Sequence, residues 1–322
     1  MNTQKPVVAI TRAIPGNPCF QGFSVRLLGE QLATREGVLG LVPGCDALVT
    51  MYTDRVDDAV LEASGGSLKI VCNFAVGFEN IDLGACKSRG IVVCNTPDAV
   101  TEGTANLAWL LVLATARRLI EADRYARSER YPGNGQLGMD DFLGMDLCGK
   151  EILVVGAGRI GYATAMRARA FGMRVLYVAR SRHLEFEMSP MGAERVELEE
   201  GFRRADVVSV HTPLTEQTRH LINAERLGMM KETAILVNTA RGPVVDEDAL
   251  VGALKNGRLW GAGLDVFEKE PAVHPGLVGL ENVVLTPHIG SAEIRWREAM
   301  TEMVETNIRT FFDGKEPPNR IA

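Results

Sequence analysis

The cysteines of this sequence show no pairing pattern. Six are scattered along the chain, at positions 19, 45, 72, 86, 94 and 148, and no two of them form a Cys-x-x-Cys motif. Disulfide frameworks and zinc sites are recognised by such regular spacings. We therefore expect reduced thiols in the core or at the surface, as in a cytoplasmic protein, and no metal site.

Two further absences narrow the choice of partners. Lysine and arginine number 35 against 41 acidic residues, and the net charge of −6 is spread without a basic cluster, so we expect no nucleic-acid partner. The first ten residues lack the apolar core of a signal peptide, and the most apolar helical stretch, residues 105–116, is too short to span a bilayer. We therefore expect no membrane partner and a cytoplasmic location.

The sequence does contain a glycine-rich motif in a telling context. The apolar run Glu151–Val155 precedes Gly156, Gly158 and Gly161, and an alanine-rich stretch follows at 162–171. Strand, G-x-G-x-x-G and helix together are the fingerprint of dinucleotide binding. The first glycine permits a tight turn, the second lets backbone approach a pyrophosphate, and the third lets the helix pack against the strand. The helix N-terminus would then face the pyrophosphate.

Short apolar runs alternate with helical stretches on both sides of this motif, and 322 residues suffice for two domains. The pattern predicts helices at 22–30, 56–63 and 98–118, and a loop at 131–149. The predicted strands are 7–10, 46–50, 68–72, 91–94, 151–155, 174–178, 205–210, 233–237, 260–264 and 282–286. This alternation indicates parallel sheets covered on both faces. We predict an α/β fold of two Rossmann- or flavodoxin-like doubly wound domains with a cleft between them.

The turn after the strand 174–178 bears on the choice of dinucleotide. An NAD site usually has an acidic residue about 20 residues beyond the first glycines, but Arg180, Ser181 and Arg182 stand here and no carboxylate appears before Glu185. Guanidinium groups can bind a 2′-phosphate bidentately. We predict NADP(H) as the preferred cofactor, with NAD(H) possible; the alternative is a solvated basic turn that binds NAD.

Three side chains at the ends of later strands suit the reduction of a 2-oxo acid. Arg241 is a permanent cation that could hold a carboxylate and polarise a carbonyl. His288 titrates near working pH and could supply a proton, and Glu270 could favour its imidazolium form. Each residue alone fits a capping or surface role, but together, beside a dinucleotide site, they favour catalysis.

Two other strand ends carry candidate ligands. We expect His211, which ends the strand 205–210, to contact the cofactor or to be structural, and not to act as an acid. The backbone amides of Val76 and Gly77 could bind a carboxylate, because ligands of open α/β sheets lie at the carboxyl ends of strands. A plain turn explains their spacing equally well.

Over nearly its whole length the chain resembles the D-isomer-specific 2-hydroxyacid dehydrogenases. The stretches that carry the resemblance are 78–82, 89–97, 149–161, 211–215, 237–242 (Val-Asn-Thr-Ala-Arg-Gly), 261–271 and 286–291 (Thr-Pro-His-Ile-Gly-Ser). Within the family, residues 142–146 and the turn 179–182 are similar to the NADP-preferring glyoxylate/hydroxypyruvate reductase branch.

The resemblance implies a set of roles. It implies that Arg241, Glu270 and His288 are catalytic. Substrate contacts are expected from Val76, Gly77, Arg241, His288 and Ser291. Cofactor contacts are expected from Thr104, Gly156, Gly158, Arg159, Ile160, Gly161, Arg180, Ser181, Arg182, His211, Pro213, Thr218, Thr239, Ala240, Asp265 and Gly290, with Asp265 at the nicotinamide end.

The resemblance also implies how the chain is organised. A discontinuous substrate-binding domain would comprise residues 1–99 and 290–322, and residues 100–289 would form the dinucleotide-binding domain. The family is usually a homodimer, with the long helix from about Thr101 in the interface and domain closure over the ligand.

The sequence departs from the reductase branch in one place. Members of that branch often have a tryptophan before the Phe-Leu-Gly segment, and residues 136–141 contain none. Our leading hypothesis is the NADPH-dependent reduction of a small 2-oxo acid, of the glyoxylate or hydroxypyruvate type, to the D-2-hydroxy acid. The alternatives are an NAD-dependent D-3-phosphoglycerate or other D-2-hydroxyacid dehydrogenase, a formate dehydrogenase, and a dinucleotide-sensing protein like the co-repressors of this family.

Overall fold

A computed structural model describes residues 5–16, 18–31 and 33–322. The first four residues, which belong to the stretch examined for a signal peptide, lie outside the described part. The chain divides into two compact units, one formed by Met1–Val100 with Ser291–Ala322 and the other by Thr101–Gly290. These bounds lie one residue from those expected from the resemblance, whereas the binding roles given to the two units stay predictions.

The strands in chain order are β1 (Val7–Ile10), β2 (Ser24–Leu27), β3 (Ala47–Thr50), β4 (Ile70–Asn73), β5 (Val92–Cys94), β6 (Glu151–Val155), β7 (Arg174–Val178), β8 (Glu194–Arg195), β9 (Val207–Val210), β10 (Ile235–Asn238), β11 (Gly261–Leu264) and β12 (Val283–Leu285).

The α-helices are α1 (Arg35–Leu41), α2 (Asp58–Ala63), α3 (Leu83–Ser88), α4 (Thr101–Ala116), α5 (Leu119–Ala126), α6 (Arg130–Asn134), α7 (Arg159–Ala170), α8 (Leu184–Glu187), α9 (Leu198–Arg204), α10 (Ala224–Met229), α11 (Glu247–Lys255), α12 (Pro275–Val278) and α13 (Ile294–Phe312), and a 3₁₀ turn covers Gly242–Val244. No helix in the described ranges is long and apolar enough to cross a membrane.

The discontinuous unit contains a five-stranded parallel sheet in the order β2-β1-β3-β4-β5. Its central strands β3 and β4 are buried along their whole length, as expected for a sheet covered on both faces. The order is that of flavodoxin-like folds, in which ligands bind where the strand order reverses. Asp57 and Asp82 cap α2 and α3 by accepting hydrogen bonds from backbone N–H groups.

The second unit contains a seven-stranded parallel sheet in the order β12-β11-β10-β9-β6-β7-β8. Successive residues of β6 point to opposite faces, so that Leu153 belongs to one apolar core whereas Ile152 and Val154 belong to the other. The order reverses between β6 and β9, which puts a binding crevice at the carboxyl ends of these strands. Both sheets confirm the predicted fold class.

Three predictions about local structure are wrong or incomplete. Residues 22–30 form no helix: Ser24–Leu27 is the edge strand β2, paired in parallel with β1. A run of four residues is too short for its hydrophobic periodicity to distinguish a strand from a helix. These residues form a strand because they pair with the open edge of β1. Helix α6 occupies part of the predicted loop, because Pro132 lies in its first turn, where N–H groups have no helical acceptor. The long helix α4 is also shorter than predicted.

Candidate active site

The glycine-rich turn joins β6 to α7, and two of its glycines meet backbone closely. Gly156 has a φ of 107°, and a Cβ built there would lie 2.7 Å from the backbone carbonyl of His211. A Cβ on Gly161 would lie 2.2 Å from the carbonyl oxygen of Gly156. Only glycine allows this turn and this packing. The place of a Cβ on Gly158, by contrast, is open, which leaves room for a ligand against the backbone.

The carboxyl edge of this sheet fits a dinucleotide. Gly158 is the N-cap of the twelve-residue helix α7 and has no side chain to satisfy the first N–H groups, and Arg159 and Ile160 follow it in the first turn. After β10, the buried hydroxyl of Thr239 has no hydrogen-bond partner among the described residues. A buried polar atom of this kind usually has a partner, and a bound ligand would supply one.

The two arginines of the basic turn after β7 differ in their contacts with carboxylates. Nε of Arg182 donates a 2.6 Å hydrogen bond to Glu187, and the hydroxyl of Tyr177 donates to the same carboxylate. These two hydrogen bonds lower the pKa of Glu187. Arg180 is exposed and forms no ion pair with a carboxylate of the described residues. Sequence reasoning missed Glu187, because the acid lies in α8 and not at the strand end.

His211 lies directly after β9 in a setting that disfavours its charged form. Its backbone N–H donates to Val155, and its Nε2 lies 2.8 Å from the hydroxyl of Ser209. The loss of hydration around the ring lowers the pKa of His211 to about 3. Further along this loop, the hydroxyl of Thr218 donates to the carbonyl of Pro213. His211 is therefore neutral at working pH and no proton donor.

The loop that carries Arg241 is fixed by the last residue of β10. The side-chain amide of Asn238 donates to the carbonyl of Arg241, and its oxygen accepts from the N–H of Ala240. Position 242 lies directly against the loop after β11, because a Cβ on Gly242 would lie 1.9 Å from the carbonyl carbon of Phe267. The loops after β10 and β11 are thus in backbone contact.

Glu270 and His288, two of the predicted catalytic residues, form a close pair at this edge. Nδ1 of His288 lies 2.8 Å from Oε2 of Glu270, and about a quarter of each side chain is exposed. The other oxygen of Glu270 accepts from the N–H of Phe267. Burial alone would raise the pKa of Glu270, but the hydrogen bond and charge of His288, together with the charge of Arg241, hold it below its usual value. The three predicted catalytic residues therefore meet at one edge of the sheet.

Asp265 holds the loop that presents His288. Its carboxylate accepts from the N–H groups of Ile289 and Gly290, and its backbone oxygen accepts from the N–H of His288. Burial raises the pKa of this carboxyl above its usual value. His288 has a φ of 54°, which costs a residue with a Cβ about 1–2 kcal/mol. A Cβ on Gly290 would meet the hydroxyl of Thr104 at 3.2 Å, so Thr104 also lies beside this loop.

The other unit holds the remaining predicted substrate contacts, Val76, Gly77 and Ser291. The carbonyls of Val76 and Gly77 accept from the side-chain amides of Asn95 and Asn73. The N–H of Val76 shares a peptide plane with the carbonyl of Ala75, which accepts from the N–H of Thr96, and the N–H of Gly77 shares one with the carbonyl of Val76. Both N–H groups therefore keep a fixed direction after β4. Ser291 accepts at its backbone oxygen from Nε of Arg297. These substrate contacts stay predictions.

Residues 109–290 match the model of the D-isomer specific 2-hydroxyacid dehydrogenase family, NAD binding domain. The glyoxylate reductase of Thermococcus onnurineus is 49% identical over 322 residues, which cover 98% of this chain and 96% of that protein.

Solved structures of related proteins have the same architecture. A protein of Thermus thermophilus is 42% identical, with a TM-score of 0.92 over 98% of this chain and all of that chain. The NADPH-dependent glyoxylate/hydroxypyruvate reductase of Sinorhizobium meliloti, in complex with NADP and malonate, is 32% identical, with a TM-score of 0.84 over 99% of this chain and 97% of that chain.

Proposed function

The chain belongs to the D-isomer specific 2-hydroxyacid dehydrogenase family, and we propose that it reduces a small 2-oxo acid of the glyoxylate or hydroxypyruvate type to the D-2-hydroxy acid. The observation that carries the proposal is the 2.8 Å pair of Glu270 and His288 beside Arg241, at the sheet edge where the glycine-rich turn lies. The activity named for the Thermococcus relative favours it over the formate dehydrogenase and co-repressor alternatives.

Each of the three side chains has a distinct task in this reduction. The guanidinium of Arg241 binds the substrate carboxylate and polarises the carbonyl. The imidazolium of His288 donates a proton to the carbonyl oxygen as the carbonyl carbon is reduced. Oε2 of Glu270 accepts a hydrogen bond from Nδ1 of His288, which orients the ring so that Nε2 is the proton-donating atom, and the charge of Glu270 stabilises the imidazolium. A bound nicotinamide dinucleotide supplies the hydride.

The preference for NADPH over NADH is part of the proposal. Arg180 and Ser181 are both exposed at the end of β7, where an NAD site would have an acid. Arg182 contributes less, because Glu187 already engages its guanidinium. The Sinorhizobium relative, whose structure holds NADP, is consistent with this assignment.

Three finer statements rest on the resemblance. We propose that the amides of Val76 and Gly77, together with Ser291, contact the substrate carboxylate. We also propose that the chain works as a homodimer, with α4 in the interface, and that it is located in the cytoplasm.

A turnover assay tests the proposed function. The purified protein would be incubated with glyoxylate, hydroxypyruvate or pyruvate and either NADPH or NADH, and the configuration of the product would be determined. We expect oxidation of the dinucleotide that depends on the 2-oxo acid, and the D-isomer wherever the product is chiral. Background rates with every pair, in a protein that still binds the dinucleotide, would instead support a sensing role.

A further inference from the structure

Two glutamates outside the predicted catalytic set bind each other's backbone. Glu247 is the first residue of α11, and Glu268 lies in the loop after β11. The N–H of Glu247 donates to Oε1 of Glu268 at 2.9 Å, and the N–H of Glu268 donates to Oε1 of Glu247, also at 2.9 Å. We call this reciprocal pair of hydrogen bonds the glutamate staple.

Burying the two carboxylates of the glutamate staple costs free energy. Glu247 is 6% exposed, and burial, together with the neighbouring charge of Glu268, raises its pKa. Nε2 of His220 lies 3.2 Å from the free oxygen of Glu268, and the charges of His274 and Lys269 act on Glu247. Two like charges are thus held together, and each is satisfied by a backbone donor.

The staple connects the loops that carry the catalytic side chains. Glu247 ends the segment that begins with Arg241, and Glu268 stands two residues before Glu270. Between them, Gly242 lies against the backbone of Phe267, and the N–H of Phe267 binds Oε1 of Glu270. A shift of Glu268 would therefore move the backbone donor that holds Glu270.

A third segment closes the same network. The backbone N–H of His220 donates to the carbonyl of Pro243, and the N–H of Ile222 donates to that of Val244. His220 has a φ of 49°, a conformation that persists in a non-glycine residue only where its surroundings enforce it. This conformation places Nε2 of His220 beside Oε2 of Glu268, the oxygen that does not accept from Glu247.

We propose that Glu247 and Glu268 are positioning residues for the reduction, and that their reciprocal hydrogen bonds hold Glu270 in reach of His288 and fix its loop against that of Arg241. This inference rests on the proposed function for its catalytic meaning, whereas the effect on His288 can be measured without turnover. The charged groups that bear on the pair are Asp265, which acts on His288, and Arg241, which acts on Glu270.

The test is a histidine titration by NMR of the full chain, with the signal of His288 assigned by its loss in H288Q. The variants at each glutamate are Ala, which removes the acceptor, Asp, which withdraws it by one methylene, and Gln, which keeps an acceptor oxygen but removes the charge. D248A, at an exposed position of the same helix, is the matched surface control. L250A, in the core of that helix, is the control for general destabilisation.

We expect the titration midpoint of His288 to fall by about one pH unit in E268A and E247A, because the pairing with Glu270 loosens. The Asp variants should follow Ala, and the Gln variants should stay near wild type. If E268A and E247A do not fold, the contrast between Asp and Gln decides. Midpoints in the Ala or Asp variants that match those of D248A and L250A would overturn the proposal, and so would Gln variants that behave like Ala.

Kinetics separate the two levels of inference. In the Ala variants we expect kcat to fall about tenfold or more, with a smaller change in the KM of the 2-oxo acid. We also expect the alkaline limb of the plot of kcat against pH to move with the NMR midpoint of His288. Wild-type protein that shows the expected titrations without any turnover would refute the proposed function while leaving the staple intact.

Discussion

His211 and His288 lie at the carboxyl edge of the same seven-stranded sheet, one after β9 and the other after β12. The first ring has a serine hydroxyl as its neighbour and loses hydration, so its pKa falls to about 3. The second has the carboxylate of Glu270 at 2.8 Å and keeps about a quarter of its surface exposed. The same residue type therefore has a neutral hydroxyl as its partner at one strand end and a carboxylate at another.

The difference shows that a strand end only places a histidine at the edge of the sheet. The side chain beside the ring determines whether its neutral or its protonated form is favoured. Without a carboxylate, desolvation favours the neutral ring. With one, the protonated ring gains a charge-assisted hydrogen bond, which is about twice as strong as a neutral one. A histidine at a sheet edge indicates a proton donor only when an acid reaches it from a neighbouring loop.

Replacing His288 should have the largest effect. H288Q keeps a polar side chain but donates no proton at neutral pH, so kcat for glyoxylate reduction should fall by about 10²–10⁴-fold. The measurement is steady-state oxidation of NADPH, with binding of the dinucleotide as the control for folding. A loss as large in H211Q would break the comparison, because His211 is already neutral in the native protein.

E270Q should come next. The substitution keeps a hydrogen-bond acceptor but removes the charge that stabilises the imidazolium form, so the alkaline limb of kcat/KM should move down by about one to two pH units. At pH values above the limb this shift corresponds to a loss of about 10–100-fold. A profile measured from pH 5 to pH 10 checks it, and an unmoved limb would mean that another group holds the proton.

The two arginines of the turn after β7 extend the comparison from histidines to cations. A charge-assisted contact with a 2′-phosphate is worth about 1.5–3 kcal/mol, so R180A should raise the KM for NADPH by about tenfold or more and change that for NADH little. R182A should have the smaller effect, since Glu187 already binds Arg182. Equal effects on NADPH and NADH in R180A would show that this turn does not read the phosphate.

The effect that is smallest at neutral pH concerns the pH dependence of stability. Because the pKa of His211 is about 3 in the folded chain and about 6.5 when unfolded, the unfolded state binds the extra proton as pH falls from 6.5. Stability from this group is therefore complete above pH 6.5 and decreases by about 1.4 kcal/mol for each pH unit between pH 6.5 and about pH 3. H211N should show a correspondingly shallower acid-side decline in urea unfolding. Identical slopes in both proteins would contradict a neutral, desolvated His211.

The sequence predicted the elements that local patterns encode. The strands β6 and β7 have the predicted bounds, because each is a buried apolar run closed by a glycine or a polar turn. Arg241, Glu270 and His288 could be chosen as candidates because each follows such a run, and their catalytic role stays a prediction. Sequence reasoning does not reveal the ion pair between Arg182 and Glu187 or the reciprocal hydrogen bonds between Glu247 and Glu268. Both depend on contacts between separate segments.

The prediction of a helix at 22–30, where the strand β2 lies, was wrong for a related reason. Ser24–Leu27 is exposed along its whole length, so no hydrophobic pattern separates its faces, and its conformation comes from pairing with β1. The short α6 likewise depends on the place of a proline within the first turn, which composition alone does not reveal.

The contact between Gly242 and the carbonyl of Phe267 has a consequence for protein engineering. Position 242 has no room for even a methyl group, because the segments that present Arg241 and Glu270 pack backbone against backbone there. Libraries that seek new substrates should therefore leave residue 242 untouched, because almost every variant there would lose its fold before its selectivity could change.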